Sequence, residues 1–419
     1  MGLAKEQGTR SKVQGTRCKE QGARHKGQGA SYKQSVGGGR LCTLYLVPCT
    51  LYLAPMRHVA LERAHFLFAR TDHMGDMLLA TPAFDAIKQA FPAARLTVLA
   101  SSANADIARM HPAVDRVEVE STGTRGLRRL RGLTRFFRQL DVDVVLFGYE
   151  KHHLAQAALL ARIPIRIGTT HREYSFFLYT HRIRASRRPP YEHDATVNLR
   201  LLEPLGLSPT PPPPARVQIV AADRASVSKL LDELDVPPAA PLAVVHATNS
   251  GLALNASPQW YVTLCDQLDA SGYRIVLTGT IDDRASAGAL SAAVRRPPVD
   301  LTGRLSIGQL AALLARAVLF VGSSTGPTHL AATIGTPTVA LYSPVLKQAR
   351  WYPRGAHVAT LIPEVGITCP VCIGSQCPYW VCMERIPIER VVASGRDLAT
   401  TRGQAPSSTA TSPASAAGH

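Results

Sequence analysis

VLFVGSSTGPTHLAATIGTPTVALYSP, residues 318–344, is the stretch whose reading decides the fold. Its opening, 318–321, is a short apolar run of the kind that forms a strand buried on both faces. Gly322, Ser323, Ser324, Thr325 and Gly326 break that run with small polar residues. Pro327 suits the first turn of a helix, where its missing N–H is no loss, and Ser324 or Thr325 is placed to cap it. Leu330, Ala331 and Ile334 continue at helical spacing, Gly335 and Pro337 end the helix, and 338–341 read as the next strand. The unit is strand, small-residue turn, helix, strand. The unpaired N–H groups and positive dipole end of such a helix face outward, ready for a phosphate. An ordinary crossover between parallel strands has the same outline. The run Ser-Ser-Thr-Gly-Pro followed by His329 supplies more donors than packing requires.

A similar outline opens the body of the chain. Residues 65–69 read as a strand ending in Arg70, Gly75 as a turn, 77–91 as a helix and 95–100 as the next strand. That succession begins a doubly wound parallel sheet, which continues through strands at 116–119 and 142–147. The segment SPTPPPP, 208–214, reads as a stiff linker separating two bodies without packing on either. Beyond it a second set of α/β units follows. A strand at 242–246 opens into ATNSGLALNASPQW, a helix spans 260–268, a strand spans 274–278, and 301–305 lead into a helix at 307–315.

Two motifs resemble glycosyltransferase family 9, the bacterial heptosyltransferases of lipopolysaccharide assembly. The family's donor-site pattern runs Asp or Ser, Thr, Gly, Pro, any residue, His, Leu, Ala, Ala, then Gly, any, Pro. Residues 324–332 and 335–337 fit it, with Ser324 standing where the heptosyltransferases proper usually carry Asp. The N-terminal signature Arg-x-Asp-x-x-Gly-Asp-x-Leu-x-x-x-Pro is met by residues 70–82.

The resemblance implies an α/β protein of GT-B type, two facing Rossmann-like domains with parallel sheets. It implies an acceptor domain at 56–207, a linker at 208–215 and a nucleotide-sugar donor domain at 216–395. The implied reaction is inverting transfer of a sugar, heptose from ADP-heptose, onto a lipopolysaccharide-core or related glycolipid acceptor. Asp76 is then the general base, taking the proton of the acceptor hydroxyl. On spacing alone Asp76 serves equally well as a helix cap. Gly75 and the arginines Arg128, Arg131 and Arg135 fall on the acceptor side. His246, Asn249, Asp282, Leu305, Ser324, Thr325, Gly326, Pro327, Thr328 and His329 fall on the donor side. Leu254 aligns where the family carries a diphosphate-binding Lys or Arg. Helix N–H groups at residues 325–328 are expected to hold the leaving diphosphate, with no metal or other cofactor required. The two open substitutions, Ser324 and Leu254, allow a different nucleotide-sugar in the same architecture.

With 419 residues the chain has room for two domains and tails, and its hydrophobic content of 46% supports a globular body. No apolar run reaches the ~18 residues of a membrane span, so the expected place is the cytoplasm or the inner face of the cytoplasmic membrane, beside an anionic glycolipid. The net charge of +17 also raises a non-enzymatic nucleic-acid-binding module. That alternative lacks any recognised nucleic-acid motif, and nucleic acid is not expected as a partner.

Much of the charge lies in residues 1–55. Lys5, Lys12, Lys19 and Lys26 recur every seven residues, each followed two positions on by Gln-Gly, and CTLYLVP at 42–48 repeats as CTLYLAP at 49–55. Codons for a Gly-Thr-Arg-Tyr-Lys-Val-Gln unit read Leu-Tyr-Leu-Val-Pro-Cys-Thr on the complementary strand. The segment is therefore expected to be a translated inverted DNA repeat, disordered, with Met56 as the start of the protein. A signal peptide is the competing reading.

The stretch 126–140 is an amphipathic helix with Arg125, Arg128, Arg129, Arg131, Arg135 and Arg138 around a stripe of Leu127, Leu130, Leu133, Phe137 and Leu140. It is either a solvated face or a cradle for an anionic lipid-linked acceptor. Cys369, Cys372, Cys377 and Cys382 fall within fourteen residues. They could bind a metal or cluster, pair as disulfides, or remain thiols. Residues 396–419 turn to Ser, Thr, Ala and Pro and are expected to be disordered.

Overall fold

The computed structural model describes residues 59–120, 123, 125–185, 191–209, 211–248, 254–365, 369, 372, 377 and 381–404. The repeat segment 1–55, Asn249 with Ser250, and 405–419 lie outside the described residues. The first half runs β1 (His65–Arg70), α1 (Met74–Ala90), β2 (Arg95–Ala100), α2 (Ala105–Arg109), β3 (Arg116–Val119), α3 (Gly126–Leu140), β4 (Val144–Phe147), α4 (His152–Leu160), β5 (Ile165–Thr169), α5 (Ser175–Leu178), β6 (His181–Ile183) and α6 (Asp194–Arg200). The second runs α7 (Ala221–Asp232), β7 (Leu242–His246), α8 (Pro258–Ala270), β8 (Arg274–Leu277), α9 (Arg284–Ala293), β9 (Val299–Asp300), α10 (Ile307–Arg316), β10 (Leu319–Ser323), α11 (Gly326–Ile334), β11 (Thr338–Leu341), β12 (Val358–Leu361) and α12 (Ile388–Gln404).

The sheets are ordered β3-β2-β1-β4-β5-β6 and β12-β11-β10-β7-β8-β9, with parallel pairing at the centre of each. Read from its other edge, the second order is that of the first, so one doubly wound topology occurs twice. The central strands are apolar on both faces. Phe66 and Phe68 point to one side of the first sheet, Leu67 and Ala69 to the other. In the second sheet Val244 and Phe320 face one core, Val245 and Val321 another. One of these cores is common to both halves: side chains of α1, α2, α7, α10 and α11 pack together between the sheets. The outer layers are α3, α4 and α5 on the first sheet, and α8 with α12 on the second.

The two halves meet in this shared core, and the proline run at 208–214 joins them with Pro211, Pro212 and Pro214 exposed. Leu205, Leu207, Val217 and Ile219 flank the proline run and pack on the common core. Arg216 grips Asp85 of α1 through two hydrogen bonds of 2.8 and 2.5 Å, and the Gln218 N–H donates to the Met110 carbonyl at 2.7 Å. The residues beside the prolines are apolar or paired, and burying them outweighs the freedom of a loose tether. The C-terminal limit moves. α12 runs through Arg396 to Gln404 instead of ending near 395, because Leu398 still finds the second core.

The element boundaries shift most around the two motifs. α1 begins at Met74, so Gly75 and Asp76 lie inside its first turn. Pro82 has no N–H for the Leu78 carbonyl, which accepts the Thr81 hydroxyl instead at 2.7 Å. β10 extends through Gly322 and Ser323, which pair with His246 and Leu341. Gly335 ends α11 at φ +83°, a left-handed residue as its glycine suggests.

Candidate active site between the two halves

In an open parallel sheet, ligands bind beyond the carboxyl ends of the strands where the winding direction reverses. Those points lie between β1 and β4 in the first half and between β7 and β10 in the second. The residues at these ends are Arg70, Phe147, His246 and Ser323. β1 leads into α1 and β10 into α11, and these two helices pack on each other across the halves. Their first turns interlock through a pair of glycines. A methyl group on Gly75 would lie 2.7 Å from Cδ2 of His329, and one on Gly326 would overlap the Met74 side chain. Two helix N-termini, one from each motif, therefore meet at one place.

On the first-half side the centre is Arg70, whose side chain is 3% exposed. Its guanidinium touches Asp72 at 3.0 Å, Asp76 at 3.0 Å and Asp194 at 2.7 Å. It also donates to the Gly148 carbonyl at 2.6 Å and to Asn198 at 3.1 Å. Burial works against the charge on Arg70, but the three carboxylates hold it firmly protonated. Asp72 meets Nε at 3.0 Å without hydrogen-bond alignment. Burial, with the like charges of Asp76 and Asp194, pushes Asp72 up to about 7 despite Arg70. Asp76 makes no side-chain cap: its Oδ1 turns to Arg70, and 14% of the side chain stays exposed.

The second half reaches this cluster too. Arg350 lies 3.6 Å from Asp194 and stacks over Trp351 at 4.9 Å. His193 accepts the Ala195 N–H on Nδ1 at 3.2 Å, which leaves Nε2–H to donate to the Tyr352 carbonyl at 2.8 Å. Burial keeps His193 below its ordinary range, consistent with this neutral tautomer.

On the second-half side the groups are hydroxyls, backbone N–H groups and neutral imidazoles. Thr325 sits at the N-cap of α11, but its hydroxyl makes no cap bond and lies 3.4 Å from the Ser323 carbonyl. Thr328 is fully buried and donates to the same carbonyl at 2.5 Å. Pro327 offers no N–H, and Ser324 is half-buried at the turn. His329 is buried with Nδ1 lacking a hydrogen-bond partner, and burial, aided by His193, pushes it down to about 4. His246 is likewise pushed down to about 4 by burial, with Nδ1 3.1 Å from the Thr278 hydroxyl.

Several candidates stand elsewhere. Asp282 is exposed, whereas Asp283 closes a capping box with Thr280 at 2.7 Å. Leu305 packs on the common core and Leu254 on the second core. Asn249 lies outside the described residues. Arg128, Arg131 and Arg135 are exposed on α3 and do not join the Arg70 cluster. Leu127 is 70% exposed, so the apolar stripe is shorter than its spacing implied. Arg129 turns instead to Glu120, a buried carboxylate that also takes Lys151 at 2.8 Å and His153 at 2.7 Å. Cys369, Cys372 and Cys382 are free thiols. Among the described residues no group of three or more ligating side chains is arranged to hold a metal.

Asp194 and Arg350 were the site residues least visible in the sequence. An arginine closing an apolar strand signals a buried cation needing carboxylates. Nothing in the local pattern names Asp194, 124 residues away, as its partner.

Twin doubly wound sheets meeting at paired helix N-termini make up the GT-B architecture. The sequence model of glycosyltransferase family 9 (heptosyltransferase) matches residues 133–371, more than half of the chain, and the chain belongs to that family. The lipopolysaccharide heptosyltransferase 3 of Escherichia coli is 26% identical over 282 residues, covering 64% of this chain and 80% of that protein. The crystal structure of a family 9 glycosyl transferase from Veillonella parvula superposes with a TM-score of 0.71 at 21% identity, covering 82% of this chain and 99% of that one. The structure of the E. coli ADP-heptose lipopolysaccharide heptosyltransferase II gives 0.68 at 19%, covering 81% and 99%.

Proposed function

We propose that this enzyme transfers heptose from ADP-heptose, with inversion, onto a lipopolysaccharide-core or related glycolipid acceptor. The observation that carries this reading is the meeting of α1 and α11, which sets Asp76 beside the turn that suits a diphosphate. The acceptor hydroxyl gives its proton to Asp76 as its oxygen bonds to the anomeric carbon. The bond from that carbon to the diphosphate breaks, and its electron pair leaves with ADP. Arg70 occupies Oδ1 of Asp76 and leaves Oδ2 for the proton. The free N–H groups of the first turn of α11 receive the growing charge on the leaving diphosphate, and Arg350 adds a cation from the same half. The similarity to relatives named for ADP-heptose and lipopolysaccharide supports the choice of donor and acceptor.

Among the described residues no helix is long and apolar enough to cross a membrane. The proposed place of work is the cytoplasm, at the inner face of the membrane where a lipid-linked acceptor is exposed. A second reading keeps the reaction and changes the donor. It is favoured by Leu254, which packs in a core where the family pattern has a diphosphate-binding cation. Thermal unfolding with ADP-heptose, ADP-glucose, UDP-glucose and GDP-mannose separates the two. The ADP-sugars should raise Tm by several degrees at saturation, with ADP-heptose ahead. A rise with UDP- or GDP-sugars alone would replace the donor assignment.

A further inference from the structure

The outer layers of the two halves differ sharply in what they offer solvent. α8, α9 and α12 carry both signs of charge, and Asp266 and Asp269 of α8 pair with Arg295 and Arg296. α3, α4 and α5 contain no Asp or Glu, while α3 alone holds five arginines. Of these, Arg128, Arg131, Arg135 and Arg138 are exposed. Large apolar side chains stand out among them: Leu127 at 70%, Leu160 at 49%, Phe176 at 57% and Phe177 at 74% exposed. Phe176 and Phe177 sit on the one-turn helix α5, and Arg182 lies over the Phe176 ring at 5.0 Å. The three helices form one layer on one core, and Arg138 ties the ends of α3 and α4 by donating to the Leu160 carbonyl at 2.8 Å.

We propose that this α3–α5 face seats the protein on an anionic lipid bilayer. The four exposed arginines of α3, none of them in an ion pair among the described residues, supply long-range attraction, and the aromatic pair with the leucines supplies apolar area for the headgroup boundary. Two copies of this chain meeting through the face would set arginine against arginine, so charge complementarity favours an anionic surface. The face also borders the active site. Lys151, at the start of α4, reaches the Thr71 carbonyl beside Asp72 at 3.4 Å. Seating therefore brings the Asp76 side of the cleft next to the lipid surface. That last consequence rests on the lipid-linked acceptor proposed above; the seating itself does not.

Co-sedimentation of the full chain with phosphatidylcholine vesicles, with and without about one-third phosphatidylglycerol, tests it. The wild type should partition onto the anionic vesicles and be released by salt. F176S/F177S should weaken partitioning by about fivefold or more with Tm unchanged, since both rings are already exposed. R128Q/R131Q/R135Q should weaken it by about fivefold per arginine. I281S, a control 56% exposed on the second half, should bind like wild type. Partitioning unaffected by both sets would overturn the proposal, as would no binding by the wild type. A dimer in light scattering that F176S/F177S dissociates would assign the face to a second copy instead. ADP-induced stabilisation of the same preparations keeps the questions apart, because its absence counts against the donor assignment and leaves the vesicle result standing.

Discussion

The two halves share a topology and divide the chemistry. Each sets a helix N-terminus at the reversal point of its sheet, and each has a glycine where the other half presses in. On the first side three carboxylates crowd one buried arginine, and Asp72 is pushed up to about 7 by burial and like charge. On the second side the groups are hydroxyls, free N–H groups and two imidazoles pushed down to about 4 by burial. A fold fixes where a ligand can sit and leaves the chemistry to the loop residues. In the proposed mechanism one copy provides the proton acceptor, and the other an anion cradle of N–H groups, hydroxyls and the Arg350 cation.

The sharpest way to break this division is to remove the proton acceptor alone. Asp76→Asn keeps an oxygen for Arg70 and should cut turnover by about 10²–10⁴ while Tm and nucleotide binding hold. Asp72→Asn, in the same cluster, should retain most of its turnover. If the two results exchange, the base is Asp72. Arg70→Met should act on stability. It strands Asp72, Asp76 and Asp194 without their shared cation, and chemical denaturation should show a loss of about 3–5 kcal/mol. A loss far below that would mean the cluster is less buried in charge than its geometry states.

The two sides should also respond to pH in opposite directions. His329 is depressed from 6.5 to about 4, so its share of stability is present above 6.5 and lost as pH falls towards 4. Asp72 is raised from 3.8 to about 7, so its share is present below 3.8 and lost as pH rises through 7. His329→Gln should flatten the acid limb of a Tm–pH profile, and Asp72→Asn the limb towards neutrality. One variant flattening both limbs would show that the halves titrate together.

The fold was legible because its signals are local. Apolar runs and glycine punctuation revealed the strands and their alternation with helices, and the two motifs pointed to their loops. The boundaries that slipped are those where tertiary pairing overrides local pattern. Gly322 and Ser323 look like a turn, yet a parallel ladder with His246 and Leu341 keeps them in β10. Leu127 continues a helical stripe past the edge of the core it was meant to fill. The proline run joins the halves with most of its prolines exposed, and its flanking residues carry the packing. The Arg70–Asp194–Arg350 arrangement joins residues far apart in sequence, and no periodicity encodes it. Thr328, placed on the donor side by resemblance, spends its hydroxyl on the carbonyl of Ser323, the last residue of β10.

The central claim is a single displacement, with the acceptor deprotonated by the first half while the second half holds the leaving group. The anomeric configuration of the product tests it most directly. NMR of the glycoside made from a donor of known anomeric form should show the opposite configuration at the transferred carbon. Retention would require two displacements or a covalent intermediate, and would contradict the assignment of Asp76 as base.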